Sequence, residues 1–427
     1  MPLLLVCLLT TIFFFLTWKN LHTGILLIAF FLPTYLLRFT LLGIPLTILE
    51  MMIGIVFLVW LISQKNKTVF LTDLLGQHLS WSIGIGLFLL AATIGVIVAP
   101  DRLVALGLWK AYFIEPFLLF LVLMSTLKTK QDVQKIIIVL GCGALFVSVF
   151  AIVQYIFQIG IPLPWDVERR VTSLFPYPNA VGLYLGPIVI LGSFALYKAI
   201  KEKQKNLIFF WSLTLPLSLL ALFFAQSEAT WGAVALTVFL SSLCVRSLRH
   251  ITIPFVVMIT LMVLFIPALR EPIKEKITLQ DYSGQVRITQ WEETVPLLKD
   301  HFFFGVGLGG YPTALEPYHT HDSIEIFQYP HNIILNFWVE TGLLGLFALA
   351  WIVILIAKEW VARVRLHKKD FLLSTACFAV FIEMTIHGLV DVPYFKNDLA
   401  VLTWMIFALF FLSTSYACSK NSSQTTS

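Results

Sequence analysis

Residues 136–157 read IIIVLGCGALFVSVFAIVQYIF, 22 residues without a formal charge. At about 1.5 Å per residue, a helix of that length matches the ~30 Å hydrocarbon layer of a bilayer. Working outward from this run, similar stretches recur at 2–17, 21–37, 41–62, 81–99, 103–127, 133–158, 179–200, 207–225, 229–245, 250–269, 331–357, 371–390 and 399–416. The composition agrees: 59% of residues are hydrophobic and 12% charged, against about 25% charged in soluble domains. A water-soluble enzyme and a disordered chain are both excluded. The expected fold is all-α, a polytopic integral membrane helical bundle of about 12–13 spans. One large extracytoplasmic loop lies between residues 270 and 330. Residues 1–418 are expected to form a single domain, and 419–427 a disordered cytoplasmic tail. The first two runs are short, so one is expected at the interface. The chain is apolar almost from Met1, without a basic leader region, so a retained first span is expected.

Lysine and arginine in short loops set the orientation. Loops 63–80, 128–135, 198–206, 245–250 and 358–370 hold 16 of them, against 5 in 38–40, 100–102, 159–178, 226–228 and 391–398. The first set is therefore assigned to the cytoplasm, and the second, with the 270–330 loop, to the exterior. The net charge of +5 thus reflects topology and does not imply nucleic-acid binding. No internal repeat is evident. The cysteines (Cys7, Cys142, Cys244, Cys377, Cys418) have no metal-like spacing and read as buried small apolar residues.

Ionisable groups are costly near lipid, so their positions single out candidate sites. They gather at the outer ends of the spans. Arg169 and Arg170 precede Ser173-Leu174-Phe175-Pro176-Tyr177-Pro178-Asn179, and Glu228 sits in the turn Gln226-Ser227-Glu228-Ala229-Thr230. Arg287 starts a helix-like stretch at 286–298. His319, His321 and His331 close the long loop, with Asn332 opening the next span, and His387 and Asp391 end a later one. Lys110 and Glu115, before Pro116, read as an intramembrane pair at a kink. The run Gly305–Gly310 lacks the strand and the Lys-Ser/Thr of a phosphate loop, and reads as a turn for close backbone packing. No cofactor motif is present and no metal site is expected, His319-x-His321-Asp322 being the weak exception.

Four ordered segments resemble the O-antigen ligase and O-antigen polymerase superfamily of polytopic membrane glycosyltransferases. They are Arg170-Val171-Thr172-Ser173-Leu174-Phe175 with Pro178-Asn179 and Gly182; the turn Gln226–Ala229; Gly284-Gln285-Val286-Arg287 with Trp291 and Phe304–Gly309; and His331-Asn332 with Leu335, Glu340, Gly342 and Gly345-Leu346. The resemblance spans roughly 20–416. It implies transfer of a glycan from a polyprenyl diphosphate carrier to a saccharide or lipid A-core-like acceptor, at the periplasmic face of the inner membrane.

By resemblance, Arg287 matches the loop arginine, His331 the loop-end histidine and Asp391 the late acidic residue. His331, Glu228 and Asp391 are the catalytic candidates. Arg287, Arg170 and Arg169 are the diphosphate candidates, and Asn179, Asn332 and His321 are further substrate contacts. Related ligases commonly carry arginine where this chain has Glu228, so an ion pair with Arg287 or a sugar-orienting role is open to it. Protein O-glycosylation by the same fold is an alternative. A lipid-linked glycan flippase ranks lower, because midplane charges are limited to Lys110 and Glu115.

Overall fold

The computed structural model describes residues 3–41, 43–64, 79–243, 249–250, 252–254, 256–258, 265–321, 323–365 and 371–422. Residues 251, 255 and 259–264 of the expected span 250–269, residues 65–78 of loop 63–80, and residues 423–427 lie outside them. The chain is an almost wholly helical, polytopic membrane protein. Among the described residues, six helices are long and apolar enough to cross a bilayer, and six further apolar helices are shorter.

Helix α1 (Leu3–Lys19) is followed by α2 (Leu21–Phe30). The ten residues of α2 reach only about 15 Å, half a bilayer. A 3-10 turn (Leu32–Leu36) then occupies the end of the run 21–37, and a hairpin takes the expected loop 38–40 and the start of the run 41–62. Strand β1 (Arg38–Leu41) pairs antiparallel with β2 (Ile44–Thr47). Hydrophobicity alone does not separate a short apolar hairpin from a helix, and Gly43, at φ +82°, makes the turn. Thr47 then caps α3 (Ile48–Ser63) in a capping box with Glu50.

Helices α4 (Leu79–Val98), α5 (Arg102–Trp109), α6 (Glu115–Thr126), α7 (Lys130–Phe157), α8 (Pro178–Lys201), α9 (Lys205–Ala225) and α10 (Glu228–Leu243) follow. A π-helical turn at Lys110–Ile114 joins α5 to α6. There Lys110 lies 3.8 Å from Glu115, as expected, but only 3.1 Å from Glu50. Most of α8 is buried, and it packs against α7, α9 and α10. Its glycines permit this: a Cβ on Gly182 would lie 2.0 Å from Thr230 Oγ1, and one on Gly192 2.5 Å from Trp211. Small residues are the usual means of close helix approach in lipid.

The 270–330 loop is ordered by α11 (Pro267–Ile277), α12 (Tyr282–Asp300) and the short α13 (Tyr311–Leu315). The last spans are α14 (Ile333–Arg365), α15 (Phe371–His387) and α16 (Asn397–Ser422). Helix α16 thus runs into the segment expected to be a disordered tail. Of the cysteines expected to be buried, Cys377 is buried, whereas Cys7 is exposed and Cys142 half-buried. Cys244 is outside the described residues.

The Gly305–Gly310 turn is wedged between α4 and α14. Val306 N donates to Val339 O (2.8 Å), Leu308 N to Gly95 O (3.1 Å) and Gly309 N to the Glu340 carboxylate (2.8 Å). A Cβ on Gly305 would sit 2.2 Å from Val339 O, so backbone meets backbone as the glycines require. Gly342, at φ +67°, interrupts α14 where Leu343 N bonds Phe303 O at 3.0 Å.

Candidate active site

Loop 159–178 is fastened first. The Gln154 side chain accepts from Thr172 N (3.1 Å) and Ser173 N (2.7 Å) and donates to Gly160 O (2.9 Å). This seats Arg170 against the end of α9. Its Nε donates to Ala225 O and its Nη2 to Asn179 Oδ1, both at 3.4 Å, and its guanidinium lies 5.0 Å over the Trp165 ring. Arg170 and Asn179 are therefore brought together. Arg169 is exposed, with φ +53°, and joins none of these contacts.

Glu228 opens α10 beside this pair. Its carboxylate meets Lys276 of α11 at 2.7 Å, and Lys276 also meets Asp281 at 2.9 Å. Burial acts to lower the lysine's pKa, but the two carboxylates raise it overall. The partner of Glu228 is thus Lys276, and the pairing with Arg287 considered from sequence is not formed. Burial lowers the pKa of Arg170, opposed by Glu168, whose carboxylate lies 3.7 Å from Nη1, and by the charge of Glu228.

The second half forms where α12 crosses the turn after α15. Arg287 Nε donates to Val390 O (2.8 Å), and its Nη1 donates to Ser283 O (3.0 Å) and Oγ (2.6 Å). Nη2 makes no hydrogen bond among the described residues. One helical turn on, Trp291 Nε1 donates to Pro330 O at 2.9 Å, immediately before His331. His331 Nδ1 lies 3.6 Å from Asp391 Oδ1, and Asp391 follows the residue that Arg287 holds. Arg287, His331 and Asp391 therefore converge on one turn, from segments more than a hundred residues apart at the extremes.

Asp391 is buried. Burial alone would raise its pKa, but His331, His387 and the Val392 N–H outweigh that and hold it at about 2. His331 has φ +46°, a left-handed conformation that a residue with a Cβ enters at a cost of about 1 kcal/mol or more. The strain is maintained by Asn332, whose Oδ1 accepts from Ile334 N (3.0 Å) and Leu335 N (3.1 Å) while Nδ2 donates to Leu389 O (3.0 Å). Both ends of the Asn332 amide are used to cap α14 and pin it to the turn.

Three residues not singled out from sequence extend the cluster. Tyr329, 4.9 Å from His331 between ring centroids, shares a 3.1 Å hydroxyl contact with Tyr177. Lys396 Nζ lies 4.5 Å from the Tyr177 ring centroid, with Phe175 at 5.6 Å and Tyr35 at 5.7 Å. No carboxylate among the described residues comes within ion-pair distance of this ammonium. The one available signal was a single basic residue in the loop 391–398, which reads first as a topology mark.

His321 is placed differently. Its Nδ1 is 3.4 Å from Glu293 Oε1, while His319 Nδ1 is 3.1 Å from Oε2 and Thr320 N donates to Oε1 at 2.8 Å. Burial would raise the Glu293 pKa, but Thr320 and the two histidines lower it overall. The histidines thus fasten the loop to α12. Asp322 lies outside the described residues, and no group of three potential ligands forms a metal site among those described.

Residues 213–350 match the family model described as O-antigen ligase. This stretch, less than half of the chain, is similar to that family's domain. The match supports the O-antigen ligase/polymerase superfamily, whose members are glycosyltransferase-like ligases. The domain includes Glu228, Arg287, His321, His331 and Asn332. Arg170, Asn179, Asp391 and Lys396 lie outside its bounds, and the fold brings them to it. No curated protein matches the chain.

Proposed function

We propose that the protein transfers a glycan from a polyprenyl diphosphate carrier to a saccharide or lipid-core acceptor at the outer membrane face. The observation that carries this is the convergence of His331, Asp391 and Arg287 on the 388–392 turn. Asp391, ionised, favours the proton on His331 Nδ1 and leaves the Nε2 lone pair as base. The acceptor oxygen attacks the anomeric carbon and gives its proton to Nε2. The bond to the diphosphate oxygen breaks, and its electron pair leaves with the carrier.

The departing diphosphate needs cations placed where charge develops. Arg287 Nη2 offers one and Arg170 a second. Lys396 is a third, because aromatic faces partly replace its water and no carboxylate among the described residues lies within ion-pair distance, Asp398 acting only at longer range. Glu228, held by Lys276, orients sugar hydroxyls near Asn179. The reading needs no divalent cation. Its test is to incubate the purified protein with a polyprenyl diphosphate glycan and a panel of saccharide, lipid-core and protein acceptors. Transfer to a saccharide or lipid core supports it. Movement of the donor across a sealed bilayer, without transfer, contradicts it.

A further inference from the structure

A separate feature lies at the opposite end of the bundle. A cavity of about 220 Å³ opens among the ends of α7, α8, α9, α15 and α16. Ile137, Leu191 and Phe194 contribute apolar walls, and Lys130, Lys198 and Lys201 are basic members of its lining. Helix α8 separates it from the His331 cluster. Tyr177 precedes that helix and Lys198 lies near its end, about 30 Å away along the axis. The cavity therefore belongs to no part of the transfer site.

Its charge balance is unequal. Among the described residues, Glu202 is the one carboxylate in the lining. One of its oxygens lies 3.9 Å from Lys198 Nζ, a half-exposed pair of low energy, and the other accepts from Gln204 Nε2 at 2.8 Å. Lys201 Nζ rests 4.8 Å from the Tyr197 ring centroid, with no carboxylate in ion-pair range among the described residues. Lys198 and Lys201 against Glu202 thus leave one net positive charge around an apolar floor. Beside it α9 presents the exposed Phe209 and Leu213, side chains suited to hydrocarbon.

We propose that this cavity binds the headgroup of an anionic phospholipid, whose acyl chains lie against α9. Basic pockets between helix ends on the cytoplasmic side recognise such headgroups by charge, while a soluble anion gains nothing from the apolar walls. The volume is below the ~300–1,000 Å³ of a pocket that encloses a whole ligand, which fits a headgroup whose tails remain in the bilayer. The loop charges place the site in the cytoplasmic leaflet, where anionic lipids are available.

The test uses the full-length protein in nanodiscs of phosphatidylcholine alone or mixed with phosphatidylglycerol. Native mass spectrometry reads retained lipid, and thermal unfolding reads stabilisation. Phosphatidylglycerol should be retained preferentially and raise the melting temperature. A K198Q/K201Q variant should lose about tenfold in retention, from about 1 kcal/mol per basic residue discounted for the Glu202 pair. E202Q should increase retention, and K203Q, outside the lining, should leave it unchanged. Equal retention of the two lipids overturns the proposal. So does full stabilisation by inorganic phosphate in phosphatidylcholine discs, which would make the site one for a soluble anion. Unchanged preference in the double lysine variant, with K203Q as folded control, overturns it as well.

Discussion

Replacing Asp391 by asparagine tests the His331–Asp391 pair through stability and activity together. The carboxyl is 1% exposed, and its pKa falls from the ordinary 3.8 to about 2 in the folded chain. Burial opposes this shift, so the histidines and the Val392 N–H must more than offset it. A depression of roughly two units, at about 1.4 kcal/mol each, contributes about 2–3 kcal/mol. Because the folded value is depressed, that stability is fully present above the unfolded pKa near 4 and is lost as pH falls through about 2. The asparagine variant should therefore unfold more readily than the native chain at pH 6–7, and the gap should close towards pH 2–3. Melting of detergent-solubilised protein across this range measures it. Turnover at neutral pH should fall about a hundredfold with donor binding retained, because the imidazole loses its orienting partner. A stability gap that stays constant from pH 6.5 to pH 2.5, or unchanged turnover, refutes the reasoning.

Arg287→Ala should weaken donor binding as well as turnover, since its charge meets the diphosphate before and during transfer, and Arg287→Lys should restore only part because the fork is lost; a donor-binding assay beside a turnover assay separates the two. Glu228→Ala and Lys276→Ala should cost similar, modest amounts of activity, about tenfold or less if the exposed pair only orients sugar, and a loss from Glu228→Ala as large as that from His331→Ala would move the base to Glu228. Gly342→Ala should lower stability by about 2 kcal/mol or more, because a Cβ at φ +67° would lie 2.4 Å from Phe303 O, as thermal unfolding would show. Chelation of divalent cations should leave transfer intact; loss restored by Mg²⁺ or Mn²⁺ contradicts the arginine-based account.

The legible parts of this protein were those written in long-range hydrophobic pattern. The run 136–157 sits within α7 (Lys130–Phe157), and the stretch 286–298 lies inside α12. The Gly305–Gly310 turn was readable because backbone packing needs glycine, and the packing is there. Less legible was anything set by a few local residues. The hairpin 38–47 is largely apolar, and Gly43, at φ +82°, takes part in its turn. The partner of Glu228 could not be chosen from sequence, because several cations in the loop were equally eligible and only the placement of α11 selects Lys276. Lys396 was passed over because its significance depends on rings from residues 35, 175 and 177, which the fold gathers from distant segments. Asn332 reads as a polar candidate in sequence, and the structure adds that its side chain caps α14 and holds the Leu389 carbonyl.

The central claim is that His331 Nε2 takes the acceptor's proton. The most direct measurement compares native and His331→Ala protein, matched for expression and insertion, for consumption of a polyprenyl diphosphate glycan in the presence of acceptor, with donor binding measured separately. The account predicts turnover reduced by about 10²–10⁴-fold, the usual worth of a positioned base, with donor binding unchanged. Near-native turnover in the alanine protein would contradict it and leave the histidine a structural residue of the turn.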